Sequence, residues 1–295
     1  MVGCPVSVAE VANIMRVLLV GATGVIGRPL IGLLRAGGHE VIGTTRRADK
    51  SDLLRSLGAE PLVLDAYDRD AALGAVQATR PDAIINQLTD LSGMDLESTS
   101  RLRRDGTRNL VDAAKAAGVR RMLTQSIAFA YEPADDLATE DEPLNVGAPE
   151  PWNGPAVGVA VMEEIANELP ESVILRYGFF YDATTGFNGD GFSAQMIRHG
   201  GVAANDNVTS FIHMEDAAEA TLLALKWPAG VYNIVDDEPV VAREWVPAVA
   251  AAHHWPQPPR TTGRDPIMSR GASNAKARRV GWSPRHHSWR SELKG

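Results

Sequence analysis

Apolar and polar positions alternate along the chain as far as Tyr177 in a way that predicts strands and helices in turn. Short apolar runs have the length and composition of buried strands at residues 16–20, 40–44, 61–64, 83–86, 121–124 and 172–176. Amphipathic stretches with the helical period lie between them at 25–36, 52–57, 71–78, 107–117 and 157–169. This alternation predicts an α/β fold built on a doubly wound parallel sheet.

The alternation ends after Tyr177. Residues 186–201 have the composition of loops, and a further strand is predicted at 230–234. The remaining residues are rich in Pro, Trp and His, which predicts a small C-terminal lobe over the carboxyl edge of the sheet, where ligands bind in open α/β folds. We expect an N-terminal extension (1–14), a sheet domain (15–177, rejoined by about 213–235) and a substrate-binding lobe (178–212 and 236–295).

The 295-residue chain is 44% hydrophobic and has a formal net charge of -8. Nucleic-acid binding usually requires a basic surface, so this balance argues against it. No apolar run approaches the roughly 20 residues that span a bilayer, and residues 1–15 lack the features of a secretory signal. The lone Cys4 leaves no internal disulfide and no cysteine-based metal site. We expect a cytoplasmic monomer or weak homo-oligomer that binds a small molecule rather than nucleic acid or a membrane.

A glycine loop, Gly21-Ala22-Thr23-Gly24-Val25-Ile26-Gly27, follows the first strand and opens the first helix. Gly21 permits the tight turn, Gly24 lets the backbone approach a pyrophosphate, and Gly27 lets the helix pack on the strand. The free N–H groups and the dipole of the helix then hold phosphates. A structural turn is the alternative, but the strand-loop-helix context favours a Rossmann-type dinucleotide site.

The end of the second strand distinguishes the two nicotinamide cofactors. An acid there binds the ribose hydroxyls of NAD, whereas an arginine suits the 2′-phosphate of NADP. The sequence reads Thr44-Thr45-Arg46-Arg47, without an acid until Asp49. Arg46 is the preferred phosphate partner, because a guanidinium binds phosphate through two hydrogen bonds, and Arg28 is a second candidate. We therefore predict NADPH (NADP), with solvent-exposed arginines as the alternative interpretation.

Several ordered motifs together resemble the extended short-chain dehydrogenase/reductase superfamily. They are the glycine loop, Asp65, and residues 105–114, 175–181, 211–217 and 273–282. The resemblance covers nearly the whole chain from Met15 and implies a Rossmann domain, a C-terminal substrate lobe and a nicotinamide cofactor. The expected cofactor contacts are Gly21, Thr23, Gly24, Val25, Ile26, Gly27, Arg28, Arg46, Asp65, Ala66, Gln87, Leu88, Thr89 and Phe179.

Some of these contacts have an alternative interpretation. Asp65 is placed to meet the adenine amino group, and is equally consistent with an aspartate that caps a turn or helix. Thr89 can contact the nicotinamide ribose or belong to a turn. Phe179 follows a strand end where the family backbone meets the nicotinamide carboxamide.

The resemblance implies four catalytic residues, of which one is retained. The family uses a Ser, a Tyr, a Lys four residues after the Tyr, and an upstream Asn. Ser126 falls on the serine, whereas the Asn position reads Arg103. Counting back from Glu164 places the Tyr and Lys on Ala156 and Ala160, and a shift of one residue gives Pro155 and Val159. The chain is therefore predicted to be an atypical member without the Tyr-x-x-x-Lys pair.

Other polar and apolar residues are weaker candidates. Ser126 is expected to orient a substrate carbonyl, or else to bond backbone at the strand end. Tyr131 is better explained by packing with a hydrogen-bonded tip. An aromatic substrate would need a flat apolar pocket, for which the candidates, each equally explained by core packing, are Met94, Trp152, Phe187, Phe192 and Met196.

No metal is predicted, because His253-His254 and His286-His287 lack a third ligand at metal spacing. His213 and Asp216 lie in a motif that in the family mainly connects the two lobes, which favours a structural role for them.

Two functions remain open. The first is an NADPH-dependent ketoreductase for a polycyclic aromatic ketone, since the sequence resembles the atypical ketoreductases of angucyclinone antibiotic biosynthesis, that of simocyclinone included. The second is a non-catalytic NADP-binding sensor or interaction protein. An epimerase or dehydratase is disfavoured, because those reactions depend on the missing acid and base.

Overall fold

The computed structural model describes residues 14–89, 96–150, 152–182, 192–266 and 268–293. The strands are β1 (Arg16–Val20), β2 (Glu40–Thr45), β3 (Glu60–Val63), β4 (Ala83–Asn86), β5 (Arg121–Ile127), β6 (Glu171–Tyr177), β7 (Phe179–Tyr181), β8 (Val208–Thr209), β9 (Phe211–His213), β10 (Gly230–Ile234) and β11 (Val240–Val241). The α-helices are α1 (Gly27–Ala36), α2 (Ser51–Ser56), α3 (Arg69–Thr79), α4 (Leu96–Arg101), α5 (Thr107–Ala117), α6 (Asn153–Ala166), α7 (Phe192–Arg198), α8 (Met214–Ala224), α9 (Ala242–Ala252) and α10 (Ala275–Arg279).

Seven parallel strands form the central sheet in the order β10-β6-β5-β4-β1-β2-β3. The connection reverses direction between β1 and β4, which leaves a crevice at their carboxyl ends. The predicted α/β doubly wound sheet is confirmed, and the strand predicted at 230–234 joins it as the seventh strand.

Alternate residues of β1 point to opposite faces of the sheet and enter two separate cores. Val17 and Leu19 pack with α1 and α8, while Leu18 and Val20 pack with α3 and α5. A strand buried on both faces reads as an unbroken apolar run, which explains why β1 is identifiable from its sequence.

The C-terminal elements build a further core of their own. Phe211, Trp245 and Trp289 are almost fully buried and pack together, with the Phe211 and Trp245 ring centroids 5.2 Å apart. The short pairs β7–β9 and β8–β11 lie in this region. The residue boundaries predicted for the lobe stay a prediction.

Several local features differ from the sequence-based expectation. Helix α7 (Phe192–Arg198) lies within residues 186–201, which the sequence predicts to be loops. Helix α6 begins at Asn153, four residues before the predicted start. Residues Leu102–Gly106 form one π-helical turn between α4 and α5 that the pattern did not predict. In the described part of the chain, no helix is both long and apolar enough to cross a bilayer.

Candidate functional site

A cleft lies at the crevice between β1 and β4, and the glycine loop forms one of its walls. Eleven predicted cofactor contacts line it: Gly21, Thr23, Gly24, Val25, Ile26, Gly27, Arg46, Ala66, Gln87, Leu88 and Thr89. Six further residues line it that the sequence did not single out: Val20, Thr44, Thr45, Leu64, Leu102 and Gln125. The ends of five parallel strands therefore converge on one elongated groove.

The loop glycines are required by close backbone contacts. Gly21 has a φ of +84°, and a Cβ there would lie 2.6 Å from the carbonyl oxygen of Gln87. A Cβ on Gly27 would lie 2.5 Å from the carbonyl oxygen of Gly21. These contacts hold the start of α1 against the end of β1, so that the helix N-terminus faces the groove, as a phosphate site requires.

Two side chains that line the cleft have buried oxygens for which the described residues offer no hydrogen-bond donor. The amide nitrogen of Gln87 donates to the Tyr177 hydroxyl at 3.2 Å, and this fixes the orientation of the side chain. Gln87 Oε1 and Thr89 Oγ1 are buried and lack a partner in the described structure. A buried polar atom without a partner is costly, so both atoms fit a ligand that offers hydroxyl or amide groups. A nicotinamide dinucleotide has such groups, and the cleft fits it.

Arg46 and Arg47 have different surroundings although they are adjacent. Arg46 lines the cleft, whereas Arg47 binds Asp49 through two hydrogen bonds of 3.0 and 2.6 Å. None of the described residues that line the cleft is acidic. The end of β2 therefore contributes an arginine, and no acidic residue, to the described lining of the groove.

Three predicted cofactor contacts do not line the cleft, each for a local reason. Arg28 donates from Nε to the Thr23 carbonyl at 2.8 Å, so it braces the glycine loop. Asp65 accepts from the backbone N–H of Tyr67 at 3.0 Å and closes its own turn. The Phe179 N–H donates to the Ser210 carbonyl at 2.8 Å, because β7 pairs with β9. The cofactor contacts expected of these three residues stay predictions, and their side chains or backbone groups have partners within the protein.

Ser126 also differs from its expected position. It is fully buried, and its hydroxyl donates to Glu163 Oε1 at 2.5 Å. Its neighbour Gln125 lines the cleft instead, because successive residues of β5 point to opposite faces. A catalytic role for Ser126 therefore stays a hypothesis that its geometry disfavours, and Gln125 is the polar side chain that β5 contributes to the cleft.

The burial of Glu163 bears on the register of α6. Glu163 is 6% exposed and bound by Arg176, whereas Glu164 is exposed. If the expected motif is counted from Glu163, which is anchored to the sheet, instead of from Glu164, the Tyr and Lys positions fall on Pro155 and Val159, the shifted register already considered. Neither register supplies a tyrosine or a lysine, and α6 contains neither residue type.

Tyr131 does not line the cleft. It belongs to the buried hydrogen-bond network around Glu163 and Arg176. Its hydroxyl donates to Asn233 Oδ1 at 2.6 Å and accepts from Arg176 at 2.8 Å. Burial raises the pKa of this phenol, which keeps it neutral. The packing role predicted for Tyr131 agrees with these contacts.

The side chains of only two of the five residues predicted to form an apolar substrate pocket are described. Trp152 and Met196 are half-buried. Met94 and Phe187, and the side chain of Phe192, lie outside the described residues.

His213, Glu215 and His286 come together although the sequence pattern did not indicate it, and their ligand-type atoms lie within 4.8 Å of one another. The contacts around them are structural. His213 Nδ1 accepts from the Glu215 N–H at the start of α8, while Asp216 accepts from the His286 N–H at 2.9 Å. These bonds connect α8 to the C-terminal segment, which agrees with the structural role predicted for His213 and Asp216.

Comparison with known proteins shows which family the chain belongs to. The model of the NAD dependent epimerase/dehydratase family matches residues 17–235. The 3-diazoavenalumate denitrifying reductase of a Streptomyces species is 40% identical over 305 residues, which cover 95% of this chain and 99% of that protein. The 4-hydroxy-2-methyl-3-oxo-4-farnesyl-3,4-dihydroquinoline-1-oxide ketoreductase of Stigmatella aurantiaca is 26% identical over 246 residues, or 79% of this chain and 71% of that protein.

Solved structures share the fold at lower identity. The UDP-glucose 4-epimerase of Thermus thermophilus in complex with NAD has a TM-score of 0.74 and 24% identity, covering 95% of this chain and 97% of that chain. The Bordetella bronchiseptica enzyme WbmG with NAD and UDP has a TM-score of 0.76 and 20% identity, covering 96% and 93%. At these identities the likeness shows the fold.

Proposed function

Since the chain belongs to the NAD dependent epimerase/dehydratase family, we propose that it is an NADPH-dependent reductase that replaces the diazo group of an aromatic acid by hydrogen. The relative that is 40% identical over nearly its whole length carries the name of a denitrifying reductase for a diazo substrate. An aromatic diazonium is the electrophile of choice here, since aliphatic diazonium ions lose dinitrogen without a catalyst.

The observation that carries the proposal is a cofactor cleft whose described lining holds no tyrosine, lysine or acidic residue, together with an α6 that contains neither tyrosine nor lysine. A ketone accepts hydride only if the developing oxyanion is stabilised by a donor or an acid. Within the described residues, the α6 positions where the family places this machinery hold Pro155 or Ala156, and Val159 or Ala160. A site built this way suits an electrophile that develops no oxyanion.

Diazo reduction has this property. When bound, NADPH supplies the hydride that attaches to the ring carbon, while the carbon–nitrogen bond breaks and its electron pair leaves with dinitrogen. An aryl diazonium ion and NADPH thus give the arene, dinitrogen and NADP⁺, and no proton is transferred. The protein has only to bind the two reactants face to face and exclude water.

The chain's own residues fit these two tasks. Gln87 and Thr89 line the cleft and have buried oxygens without a partner among the described residues, and Gln125 of β5 adds an amide to the lining. We propose that these three side chains orient the nicotinamide end of the cofactor and the ring of the substrate. Arg46, in a cleft without an acid among its described residues, supports NADPH over NADH.

A ketone is the second candidate substrate, because a 26% identical relative is named as a ketoreductase. The resemblance to angucyclinone ketoreductases noted in the sequence also favours a ketone substrate. The buried hydrogen bond of Ser126 to Glu163 removes its hydroxyl from the donors available to a ketone, which is why we place the diazo group first.

The test is a turnover assay with NADPH deuterated at the transferred position. The protein is incubated with 4-carboxybenzenediazonium and, separately, with a panel of polycyclic aromatic ketones. Reactions without protein, and with the cofactor-site variant Gly27→Val, measure the background. Benzoate deuterated at the former carbon–nitrogen position would support the proposal, whereas a deuterated alcohol would replace it with a ketoreductase. Tight NADPH binding without turnover of either class would favour the non-catalytic sensor or interaction protein.

A further inference from the structure

Arg103 is a buried residue of the turn that borders the cleft. It lies in the π-helical turn Leu102–Gly106 and is 8% exposed. Single π-helical turns are uncommon and are often found at functional sites. The residue before it, Leu102, lines the cleft, and Gly106 at the end of the turn packs against Leu88 of the cleft wall. The turn also packs against α6.

The described structure contains no hydrogen bond or ion pair to the Arg103 side chain. The two neighbouring arginines differ in this respect, because Arg101 binds Asp105 at 3.2 Å and Arg104 lies 3.7 Å from Glu97. Burial lowers the pKa of the Arg103 guanidinium to about 10, so it remains charged at neutral pH. A buried charge without a counter-ion is costly, and proteins usually pair it.

Phosphate is not the partner that this position suits best. The glycine loop and Arg46 already lie where the phosphates of a dinucleotide bind. Arg103 lies instead on the turn that packs against α6. A carboxylate or phenolate oxygen of a substrate matches a guanidinium in charge and geometry.

We propose that Arg103 binds an anionic oxygen of the aromatic substrate and thereby selects an acid over a neutral compound. This role rests on the proposed function, because it takes the substrate to be an aromatic acid. The Arg103 guanidinium would recognise this acid and hold its ring in the cleft. The substrate anion then supplies the counter-ion that the described part of the protein lacks.

Binding of unreactive acids tests this without any diazo chemistry. Calorimetric titration of the NADP⁺-saturated protein uses 4-hydroxybenzoate, 4-methoxybenzoate and methyl 4-hydroxybenzoate. The variants are Arg103→Met and Arg103→Lys, with Arg104→Met as the matched control one residue along the same turn. We expect Arg103→Met to weaken binding of the acids by about 10- to 100-fold, because a hydrogen bond to a charged group is lost.

Binding of NADP⁺ should be unchanged in all three variants, and Arg104→Met should bind the acids as the wild type does. Arg103→Lys should be intermediate, since it keeps the charge and loses the planar fork. A loss with both 4-hydroxybenzoate and 4-methoxybenzoate identifies the carboxylate as the partner. A loss confined to the compounds with a free phenol identifies the phenolate.

Thermal unfolding separates this role from a structural one. Removing a charge that has no counter-ion should raise the Tm, as often happens when a functional residue is replaced. A lower Tm or an unfolded Arg103→Met protein, or acids that bind wild type and variant equally or not at all, would overturn the proposal. Neither result depends on whether diazonium ions are reduced, so the two proposals fail separately.

Discussion

Arg176 on β6 binds Glu163 on α6 through two hydrogen bonds, Nε to Oε1 at 2.9 Å and a second nitrogen to Oε2 at 2.6 Å. Both side chains are less than 10% exposed. Ser126 donates to the same carboxylate, and Tyr131 accepts from the same guanidinium. One ion pair therefore joins α6 to two neighbouring strands of the sheet at the level of the cleft.

Replacing Glu163 by Gln is expected to destabilise the fold, by about 3–5 kcal/mol, because Arg176 loses its counter-ion while it stays buried. Denaturant unfolding monitored by far-UV circular dichroism measures the change. Glu164→Gln, one residue away and exposed, serves as the control and should change stability by less than about 0.5 kcal/mol. Equal effects of the two variants would show that the pair is not formed.

Ser126→Ala distinguishes a structural from a catalytic serine. Because the hydroxyl donates to Glu163, we expect a loss of about 1 kcal/mol in stability and an unchanged rate of hydride transfer. Gln125→Ala, from the preceding residue of β5, should lower turnover and leave stability unchanged. If Ser126→Ala instead lowered kcat strongly in a fully stable protein, the original sequence-based role of Ser126 would be restored.

The sequence predicted the sheet most clearly where a strand is buried on both faces and reads as a continuous apolar run, as β1 does, whereas the edge strand β3 is only partly buried. It predicted most of the cleft because the glycine loop is a contiguous segment with a fixed geometry. The three expected cofactor contacts that do not line the cleft have partners within the protein, local ones for Arg28 and Asp65 and a partner in a distant segment for Phe179. Arg28 has a nearby carbonyl to bind, and Phe179 has an N–H that β9 requires. The spacing of residues in the sequence does not show which protein groups bind the atoms that were expected to contact the cofactor.

The residues that the sequence missed illustrate the same limit. Gln125 lines the cleft because β5 continues to Ile127, beyond the predicted end at residue 124, and the alternation of the strand then directs Gln125 away from Glu163. Leu102 reaches the cleft through a π-helical turn, for which the pattern held no signal. The lack of a partner for Arg103 among the described residues is visible only once the neighbouring side chains are placed.

Arg46→Ala tests the proposed preference for NADPH over NADH. If Arg46 binds the 2′-phosphate, its removal should weaken NADPH about 10- to 100-fold and leave NADH nearly unchanged. Fluorescence titration with each cofactor measures both affinities. Arg47→Ala is the matched control, since Asp49 holds that guanidinium. An equal loss for the two cofactors would assign Arg46 a role that does not involve the phosphate.

Asp236 makes stability depend on pH. Burial raises the pKa of its carboxyl to about 8, well above the value of an aspartate in the unfolded chain. The folded state therefore holds a proton that the unfolded state has released, and stability should fall as the pH rises from about 4 to 8. We expect Asp236→Asn to remove this slope, so that its Tm exceeds that of the wild type most clearly near pH 8.

Asp237 is a control, because its pKa is shifted in the opposite direction and stability should depend on pH in the opposite sense. Burial raises its pKa, but hydrogen bonds from Arg278, Asn274 and His287 outweigh burial and lower the pKa overall. Its folded state favours the ionised form, so Asp237→Asn should lower the Tm at neutral pH and much less in acid. Scanning calorimetry across this range compares the variants, and parallel curves for wild type and Asp236→Asn would contradict the assignment.

Two glycines of the same helix allow the cleft to be tested by a single methyl group. On Gly27 the added Cβ would lie 2.5 Å from the Gly21 carbonyl oxygen, whereas on Gly32 it meets nothing within 4 Å. Gly27→Ala must therefore push α1 away from β1, and we expect it to lower NADPH affinity at least about 10-fold and to cost about 1–3 kcal/mol of stability. Gly32→Ala should keep NADPH affinity and gain about 0.5–1 kcal/mol of stability, because alanine loses less backbone entropy in a helix.

Cofactor titration measures the NADPH affinity of both variants, and denaturant unfolding measures their stability. A Gly27→Ala protein that binds NADPH as the wild type does would mean that the start of α1 does not hold the phosphates.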